Sequence, residues 1–394
     1  MLFSQNPLSV LGTKDYITLP FQYSQGFIVV DVVFGYLFPM RFILDTGAEH
    51  TILLHKEYTD ILNYSYDKEI NVIGADISYL LKAWVVRKVP LQFSEGERIM
   101  KDIIVLENNI LDLSAMTGLN IHGILGVEFL KNYIVDINYK EKVIRLYKSD
   151  YSRHQWRKYE PLPLAIYQHK PYLSCAVSLS GKTESEKLFL LDTGAALSLL
   201  LHTDIDSLSA LPSNIIKGTI GKGIGGEIVG YSGKIDRFRF GKTNFENLVT
   251  SFQAPDSWLD EDEIIREGII GNYLLDQFRV VFDFPASKLL LKPLKRKLKP
   301  LSYDKSGLII YAFGKDFRNY YIHHVIPGSP AAEAGILKGD VLTHLGIWPS
   351  RFYSLNGINN KFSGRDKDVT LTITRSGIKK QVRFTLRDMY EKGR

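Results

Sequence analysis

One short sequence occurs twice in this chain and restricts its fold more than any other feature. Residues 42–48 read FILDTGA, and residues 189–195 read FLLDTGA. In each copy an apolar run ends in an aspartate, a threonine, a glycine and an alanine. Such a run is typical of a buried strand that ends in a tight turn. A chain with two such corners is expected to contain two copies of one folding unit.

A second motif repeats at nearly the same interval. Residues 123–126 read GILG and residues 268–271 read GIIG, which is 145 residues later (268 − 123). The aspartates of the two corners are 147 residues apart (192 − 45). Two ordered motifs at a shared interval indicate an internal duplication. The surrounding runs are β-branched and aromatic, so we predict two all-β lobes, at residues 1–150 and 160–294.

The two corners carry residue types that suit acid–base catalysis if they face each other. Equivalent corners on equivalent lobes can meet across a pseudo-twofold axis, which would bring Asp45 and Asp192 into hydrogen-bonding range. Two carboxyl groups that close share one proton. One can then take a proton from water while the other gives a proton to a carbonyl oxygen. This pattern predicts amide hydrolysis by direct attack of water.

The residues that follow each aspartate favour the same arrangement. Thr46 and Thr193 carry short hydroxyls that can bond across the seam between the lobes. Gly47 and Gly194 permit a sharp turn and expose backbone N–H groups to the carboxylates. We therefore expect these four residues to support the site.

The paired motifs resemble those of the aspartic proteases, and the retropepsin-like branch in particular. The resemblance rests on Asp-Thr-Gly-Ala in both copies, on the Gly-apolar-apolar-Gly segment that follows each, and on residues 269–275 (IIGNYLL). It implies a mainly β fold with two pseudo-twofold-related, pepsin- or retropepsin-like β-barrel lobes. It also implies an aspartic endopeptidase with Asp45 and Asp192 as catalytic residues and a peptide or protein as substrate. Because both lobes lie in one chain, a monomer suffices to form the active site.

The alanine at the end of each corner bears on the pH dependence. Pepsin-like enzymes usually place Ser or Thr at this position, where a hydroxyl stabilises the carboxylate and lowers its pKa. Ala48 and Ala195 carry no such group. We therefore expect a pH optimum nearer neutral than that of pepsin.

A glycine-rich stretch lies between the two motifs of the second lobe. Residues 221–226 read GKGIGG, which matches the dinucleotide-binding pattern G-x-G-x-x-G. That pattern requires a following helix, whereas residues 235–240 alternate as a strand does. We predict a mobile hairpin, a substrate-binding flap with Gly223, Ile224, Gly225 and Gly226 at its tip. An ordinary glycine-rich hairpin is the alternative.

The corresponding stretch of the first lobe, residues 71–81, contains a single glycine. The sequence therefore leaves open whether one flap or two cover the cleft.

A third unit is predicted at residues 301–390, after a basic linker at residues 292–300. It resembles a PDZ domain of the kind found in bacterial proteases, a small β-barrel with helices, because residues 327–336 read PGSPAAEAGI and residues 338–341 read KGDV. The resemblance implies that Gly307, Leu308 and Ile309 would bind a peptide. A PDZ fold that only braces the protease is the alternative.

Several classes of function lack support in the sequence. There is no H-E-x-x-H, paired C-x-x-C or G-x-S-x-G motif, so we expect no metal and no cofactor. The basic residues do not form a face with interleaved aromatics, which argues against nucleic-acid binding. No apolar run is long enough to span a membrane. The single cysteine, Cys175, and the pair His323 and His324 are expected to be strand residues without a reactive or metal-binding role.

Two other functions stay open at this stage. One is a peptide-binding protein that keeps the cleft without turnover, and the other is an adaptor in which the PDZ domain carries the main function. Residues 1–7 show no leader pattern, so the location is open. The cell envelope or periplasm would require a signal sequence that is not in this sequence, and otherwise we expect the cytoplasm.

Overall fold

The chain forms two compact units. The computed structural model describes residues 10–73, 80–109, 111–179, 183–203, 211–212, 214–223, 226–254, 266–295, 301, 303–364 and 367–391. The first unit contains residues 1–111, 121–212 and 219–299, and the second contains residues 112–120, 213–218 and 300–394. The second unit thus includes two short stretches that the sequence alone assigned to the lobes.

The first half of the first unit is built almost entirely from strands. Its strands are β1 (Tyr16–Ser24), β2 (Phe27–Phe34), β3 (Phe38–Asp45), β4 (Ile52–Leu53), β5 (Tyr66–Ile73), β6 (Leu80–Phe93), β7 (Ile99–Leu106), β8 (Gly123–Gly126), β9 (Ile134–Asn138) and β10 (Val143–Tyr147). One short helix, α1, spans Glu57–Ile61, and a 3-10 turn spans Val127–Phe129. Helix α2 (Leu113–Thr117) lies between β7 and β8 in the chain but belongs to the second unit.

The second half of the first unit is also built almost entirely from strands. Its strands are β11 (Glu160–Pro163), β12 (Ala165–Tyr167), β13 (Lys170–Ser178), β14 (Ser185–Leu191), β15 (Leu199–His202), β16 (Ile215–Gly223), β17 (Gly226–Phe240), β18 (Thr243–Gln253), β19 (Gly268–Ile270), β20 (Phe278–Asp283) and β21 (Lys288–Pro293). A 3-10 turn spans Arg153–Trp156, and helix α3 spans Asn272–Leu275.

The two halves share one strand topology, which confirms a mainly β fold with two lobes. In the first, β3 pairs in parallel with β8, β8 is antiparallel to β4, and β4 is parallel to β7. In the second, β14, β19, β15 and β18 repeat these relations in the same order. The strands that end at the aspartates are central in their sheets. This position explains why Phe42–Leu44 and Phe189–Leu191 are buried continuously rather than in alternation.

Strands β9 and β20 join the two halves in one antiparallel sheet. Their register pairs Ile134 with Asp283 and Asp136 with Val281. Asp136 and Val281 are 145 residues apart (281 − 136), the same interval as between the two glycine motifs. Equivalent residues therefore lie opposite each other at this point, as they must where a pseudo-twofold axis crosses an antiparallel strand pair.

This shared sheet also contains two buried carboxylates, and both are paired. Asp136 is fully buried and accepts hydrogen bonds from Arg279 at 2.8 and 2.7 Å and from Trp156 Nε1 at 3.2 Å. Asp283, also fully buried, accepts two from Arg153 at 2.5 and 3.0 Å. A buried carboxylate is tolerated only when such partners replace water. The seam between the halves is thus fixed in register by charge as well as by backbone pairing.

The second unit is an antiparallel sheet with short helices. Its strands are β22 (Leu308–Phe313), β23 (Asn319–Val325), β24 (Val341–Leu345), β25 (Trp348–Pro349), β26 (Asp368–Arg375) and β27 (Ile378–Thr385). Its own helices are α4 (Pro330–Glu333) and α5 (Leu355–Asn359), with 3-10 turns at Ser350–Phe352 and Asn360–Phe362. The sheet order is β22-β23-β24-β26-β27, and β25 pairs with β24. Strand β22 is therefore an edge strand.

Ser329 explains where α4 begins. Its hydroxyl accepts a hydrogen bond from the N–H of Ala332 at 3.3 Å, and Pro330 occupies the first helical position. Both features are strong helix-start signals.

No helix among the described residues is long and apolar enough to cross a membrane.

Candidate active site

The two aspartates of the repeated corners meet in the structure. Asp45 is the last residue of β3, and Asp192 directly follows β14. A hydrogen bond joins their carboxyl groups. Both side chains are half-buried, so they remain accessible to water. The strand repeat alone brings these two residues together from positions 147 residues apart in the chain.

Backbone N–H groups from the turns point at each carboxylate. Gly47 N and Ala48 N donate to Asp45 Oδ1 at 2.7 and 2.9 Å. Gly194 N donates to Asp192 Oδ1 at 2.7 Å. These contacts fix the carboxyl planes and favour the ionised form.

The two threonines form a reciprocal pair beneath the carboxyl groups. Thr46 N donates to Thr193 Oγ1 and Thr193 N donates to Thr46 Oγ1, both at 3.0 Å. Each hydroxyl in turn donates to a carbonyl of the opposite lobe, that of Leu191 at 2.6 Å for Thr46 and that of Leu44 at 2.9 Å for Thr193. Both threonines are fully buried. Four hydrogen bonds across the seam thus hold the corners in register.

Each corner requires a glycine because the carboxyl group of the opposite corner lies very close to its backbone. A Cβ atom on Gly47 would overlap the carboxyl group of Asp192, and one on Gly194 would overlap that of Asp45. Any larger residue would push the carboxyl groups apart.

Burial and mutual charge set the ionisation of the pair. Burial raises the pKa of Asp45 well above its usual value, and the charge of Asp192 and the hydrogen bond to it raise the pKa further. Burial also raises the pKa of Asp192, and the hydrogen bond from Asp45 and the N–H of Gly194 make this rise smaller. The pair therefore shares one proton.

Asn272 supports the second corner and was missed in the sequence analysis. Its side chain is fully buried, and Nδ2 donates to Gly26 O at 2.8 Å and to Thr193 O. Its Oδ1 accepts from the hydroxyl of Tyr139 at 2.7 Å. The equivalent residue of the first lobe is the buried Val127, 145 residues earlier (272 − 127). The sequence signal that could have identified Asn272 is this difference: a polar residue follows GIIG, whereas an apolar residue follows GILG.

A group of charged residues lies beside the first corner. His50 Nδ1 is 3.3 Å from Glu128 Oε2, and this hydrogen bond raises the pKa of His50. His169 of the second lobe lies 3.8 Å from Glu49 and 3.1 Å from Lys131 Nζ. The β12–β13 turn of one lobe thus reaches the corner of the other. No local sequence pattern indicates these contacts, because the residues are far apart in the chain.

The predicted flap tip is described only in part. Gly223 ends β16 and Gly226 begins β17, and these strands are neighbours in their sheet. Ile224 and Gly225 lie outside the described residues. The first lobe has a corresponding antiparallel hairpin, β5–β6. Both lobes therefore carry a hairpin at this position, and the flap role of either stays a prediction.

The residues predicted to bind a peptide lie at the start of β22. Gly307 N donates to Asp304 Oδ1 at 2.6 Å, and Leu308 N donates to Ser306 Oγ at 3.1 Å. Ile309 is the second residue of the strand and is half-buried. Two of the three backbone donors are thus already engaged within the loop.

Three residues that we predicted to be strand residues all lie in strands. Cys175 is buried in β13, and burial raises the pKa of its thiol. The ring of His323 stacks on that of Tyr311 with centroids 3.9 Å apart, and His324 is in the same strand. Within the described part of the chain no cluster of His, Cys, Asp and Glu could hold a metal ion.

Comparison with known proteins gives one family match. Residues 176–274 match the family model described as aspartyl protease. No curated protein matches the chain. Among solved structures, an aspartic proteinase from Irpex lacteus is similar with a TM-score of 0.42 and 14% identity, covering 71% of this chain and 97% of the other. Basic 7S globulin from soybean is similar with a TM-score of 0.41 and 10% identity, covering 71% and 95%. Residues 176–274, which contain Asp192 and the second Gly-apolar-apolar-Gly motif, are thus similar to the aspartyl proteases.

Proposed function

We propose that this protein is an aspartic endopeptidase that hydrolyses peptide bonds with a water molecule activated between Asp45 and Asp192. The observation that carries the proposal is the hydrogen bond between two half-buried carboxyl groups, each held by backbone N–H groups. One proton on such a pair provides a base and an acid at the same time.

Of the two possible arrangements of the shared proton, we take the one with the proton on Asp45. The carboxylate of Asp192 takes a proton from water as the water oxygen attacks the carbonyl carbon of the substrate. The carboxyl group of Asp45 gives its proton to the carbonyl oxygen. When the tetrahedral species collapses, the C–N bond breaks and the amide nitrogen takes the proton from Asp192. One hydroxyl of the tetrahedral species returns its proton to Asp45 as the C=O bond forms, which restores the starting pair. The two aspartates and one water supply every group that this reaction needs.

The substrate is an extended peptide or protein segment. The hairpins β5–β6 and β16–β17 are the candidate flaps over it, with Gly223, Ile224, Gly225 and Gly226 at the second tip. Because Asp45 and Asp192 come from one chain, a monomer is sufficient for this chemistry.

We also propose a PDZ fold for the second unit. Its antiparallel sheet with β22 at an edge, its capped helix α4 and its second helix α5 support this assignment. Edge strands of this kind can accept an extended segment as an added strand.

The test is cleavage of a denatured protein and of a peptide library between pH 3 and pH 8. We expect Asp45→Asn and Asp192→Asn each to lower kcat by about 10²–10⁴-fold or more, because each removes an acid–base group from a pair that acts as a unit. Asp31→Asn is the matched control, since Asp31 is exposed on β2 and its ion pair is with Arg41, outside both corners. Full activity in either dyad variant, or no cleavage by the wild type, would refute the mechanism.

A further inference from the structure

The second unit has a space between strand β22 and helix α5. In a PDZ fold an external peptide would be expected to bind there. Among the strands that the structure describes, β22 is at the edge of its sheet and pairs with β23 alone. Helix α5 packs beside it, and Leu308, Ile310 and Ala312 share a core with Leu355. An edge strand beside a helix is the arrangement in which a segment of chain can be held by both.

In this protein the space already contains a segment of the same chain. Residues 112–120 belong to the second unit, and helix α2 packs against β22. A Cβ atom placed on Gly118 would lie 3.3 Å from Leu355 Cβ and 3.8 Å from Ala312 Cβ. Gly118 therefore sits in contact with both walls, the strand and the helix.

Residues 113–118 of this segment are held in shape by burial and by hydrogen bonds of their own. Leu113 and Thr117 are buried, and the hydroxyl of Thr117 donates to Leu113 O at 2.7 Å. Gly118 ends α2 in the left-handed region at φ +67°, and its N–H donates to Ser114 O at 2.9 Å. This helix end needs a glycine both for its backbone angle and for the narrow gap to Leu355.

The loop before β22 is not arranged to receive a terminal carboxylate. The carboxyl group of Asp304 accepts from the N–H groups of Ser306 and Gly307 at 3.0 and 2.6 Å, and from the Ser306 hydroxyl. The Ser306 hydroxyl in turn accepts from Leu308 N. An acidic group of the chain itself thus takes the donors that the C-terminus of a partner peptide would use.

A second stretch of the lobes is held by the same unit. Residues 213–218 belong to it, and Asn214 Nδ2 donates to Tyr390 O at 3.3 Å. This stretch contains the start of β16 (Ile215–Gly223), one strand of the candidate flap hairpin. The unit thus contains one segment from each lobe.

We propose that the space between β22 and α5 is an internal docking site whose ligand is residues 112–120. The second unit then holds the chain between β7 and β8 instead of recruiting an external peptide. Only Ile121 and His122 separate the docked segment from β8, whose Gly126 pairs with Asp45. The docked segment is thus continuous in the chain with the strand that supports the first aspartate. This inference does not depend on catalysis by Asp45 and Asp192.

The test is hydrogen exchange followed by mass spectrometry on the full-length protein. Gly118→Leu places a side chain against Leu355, and Gly346→Leu is the matched control. Gly346 has nearly the same backbone angle, φ +62°, and a Cβ there meets no atom within 4 Å. Both variants strain a left-handed angle, but in Gly118→Leu this strain falls on the end of α2 itself. The docking contact is therefore read at residues 308–313, on the strand that α2 packs against.

We expect Gly118→Leu to accelerate exchange at residues 112–122 and 308–313 by about tenfold or more, and Gly346→Leu to change neither. Equal exchange in the two variants at residues 308–313 would overturn the proposal, whatever the change at residues 112–122. If Gly118→Leu does not fold, Gly118→Ala against Gly346→Ala gives the same comparison with a smaller expected difference. Exchange is read without any substrate, so an inactive dyad would leave the outcome unaffected.

Discussion

At the scale of single residues, the threonine pair offers the sharpest test of how the corners are held. Thr46→Ala would leave Thr193 N and Leu191 O without their partners in a buried setting. A buried polar group left without a hydrogen bond costs about 1–3 kcal/mol, so we expect the free energy of unfolding to fall by about 2–4 kcal/mol. Urea unfolding monitored by fluorescence measures this change.

The matched control for this variant is Thr46→Ser, which keeps the hydroxyl and loses only a methyl group. We expect it to stay within about 1 kcal/mol of the wild type. If the alanine and serine variants were equally stable, the hydroxyl bonds across the seam would contribute nothing.

The raised pKa of Asp45 predicts how the activity depends on pH. Burial and the charge of Asp192 keep the proton on Asp45 to higher pH than an ordinary carboxyl group would hold it. The singly protonated pair is the active form, so its working range should extend toward neutral pH, as the alanines at positions 48 and 195 also suggest. A profile of kcat/KM against pH measures this range, and a maximum near pH 2 would contradict the prediction.

The same shift predicts how stability depends on pH. A carboxyl group whose folded pKa lies above its unfolded value stabilises the fold at acid pH, and this contribution is lost as pH rises through the folded pKa. Asp45→Asn lacks this titration and relieves the repulsion between the carboxylates. We therefore expect Asp45→Asn to gain stability relative to the wild type as pH rises from acid to neutral. Thermal unfolding at several pH values checks this, and a constant difference would refute it.

At the scale of elements, the β9–β20 strand pair contains equivalent positions at which the two lobes have diverged in sequence. Asp136 and Arg279 form a buried ion pair across the axis, but their equivalents in the repeat are Val281 and Ile134. One copy of each position is charged and the other is apolar. The ion pair therefore has no symmetry-related copy. The contact between the lobes is asymmetric at this point, as in a heterodimer.

This asymmetry leads to a prediction for the strand pair. Arg279→Ile should lower the free energy of unfolding by about 3–5 kcal/mol, because it leaves the Asp136 carboxylate buried without its guanidinium. Adding Asp136→Val removes that charge, so the double variant should be more stable than Arg279→Ile alone. Denaturant unfolding of both variants gives the comparison.

The control for the strand pair is an exposed ion pair on the same unit. Arg41→Ile breaks the contact with Asp31, in which both side chains are exposed to water. Surface pairs contribute about 0–1 kcal/mol, so we expect a correspondingly small loss. A double variant no more stable than Arg279→Ile would mean that Asp136 is not the source of the cost.

Individual elements differed in how well the sequence predicted them. The strands that end at Asp45 and Asp192 were predictable, because a buried run that stops at a carboxylate and a glycine has few alternatives. The contacts of Asn272 were not, because Gly26, Thr193 and Tyr139 come from three distant parts of the chain. Hydrogen-bond partners so far apart leave no local pattern.

At the scale of the whole molecule, the presence of both corners in one chain makes activity independent of association. We expect the rate of peptide cleavage to be proportional to protein concentration from about 1 nM to about 1 µM, because no second copy has to bind. Initial rates over a dilution series measure this. A rate that rises with the square of concentration would show that the site forms between two chains.

The sequence by itself determined that this protein is a duplicated β structure with one aspartate corner in each copy, because a motif repeated at a constant interval can be read directly from the order of residues. The tertiary structure decided what those corners do to each other. Only the fold brings the carboxyl groups within a hydrogen bond, locks them through Thr46 and Thr193, and raises the pKa of Asp45. Only the fold assigns residues 112–120 to the C-terminal unit. Burial, charge proximity and docking depend on distances between segments remote in the chain, and no local stretch of sequence contains them.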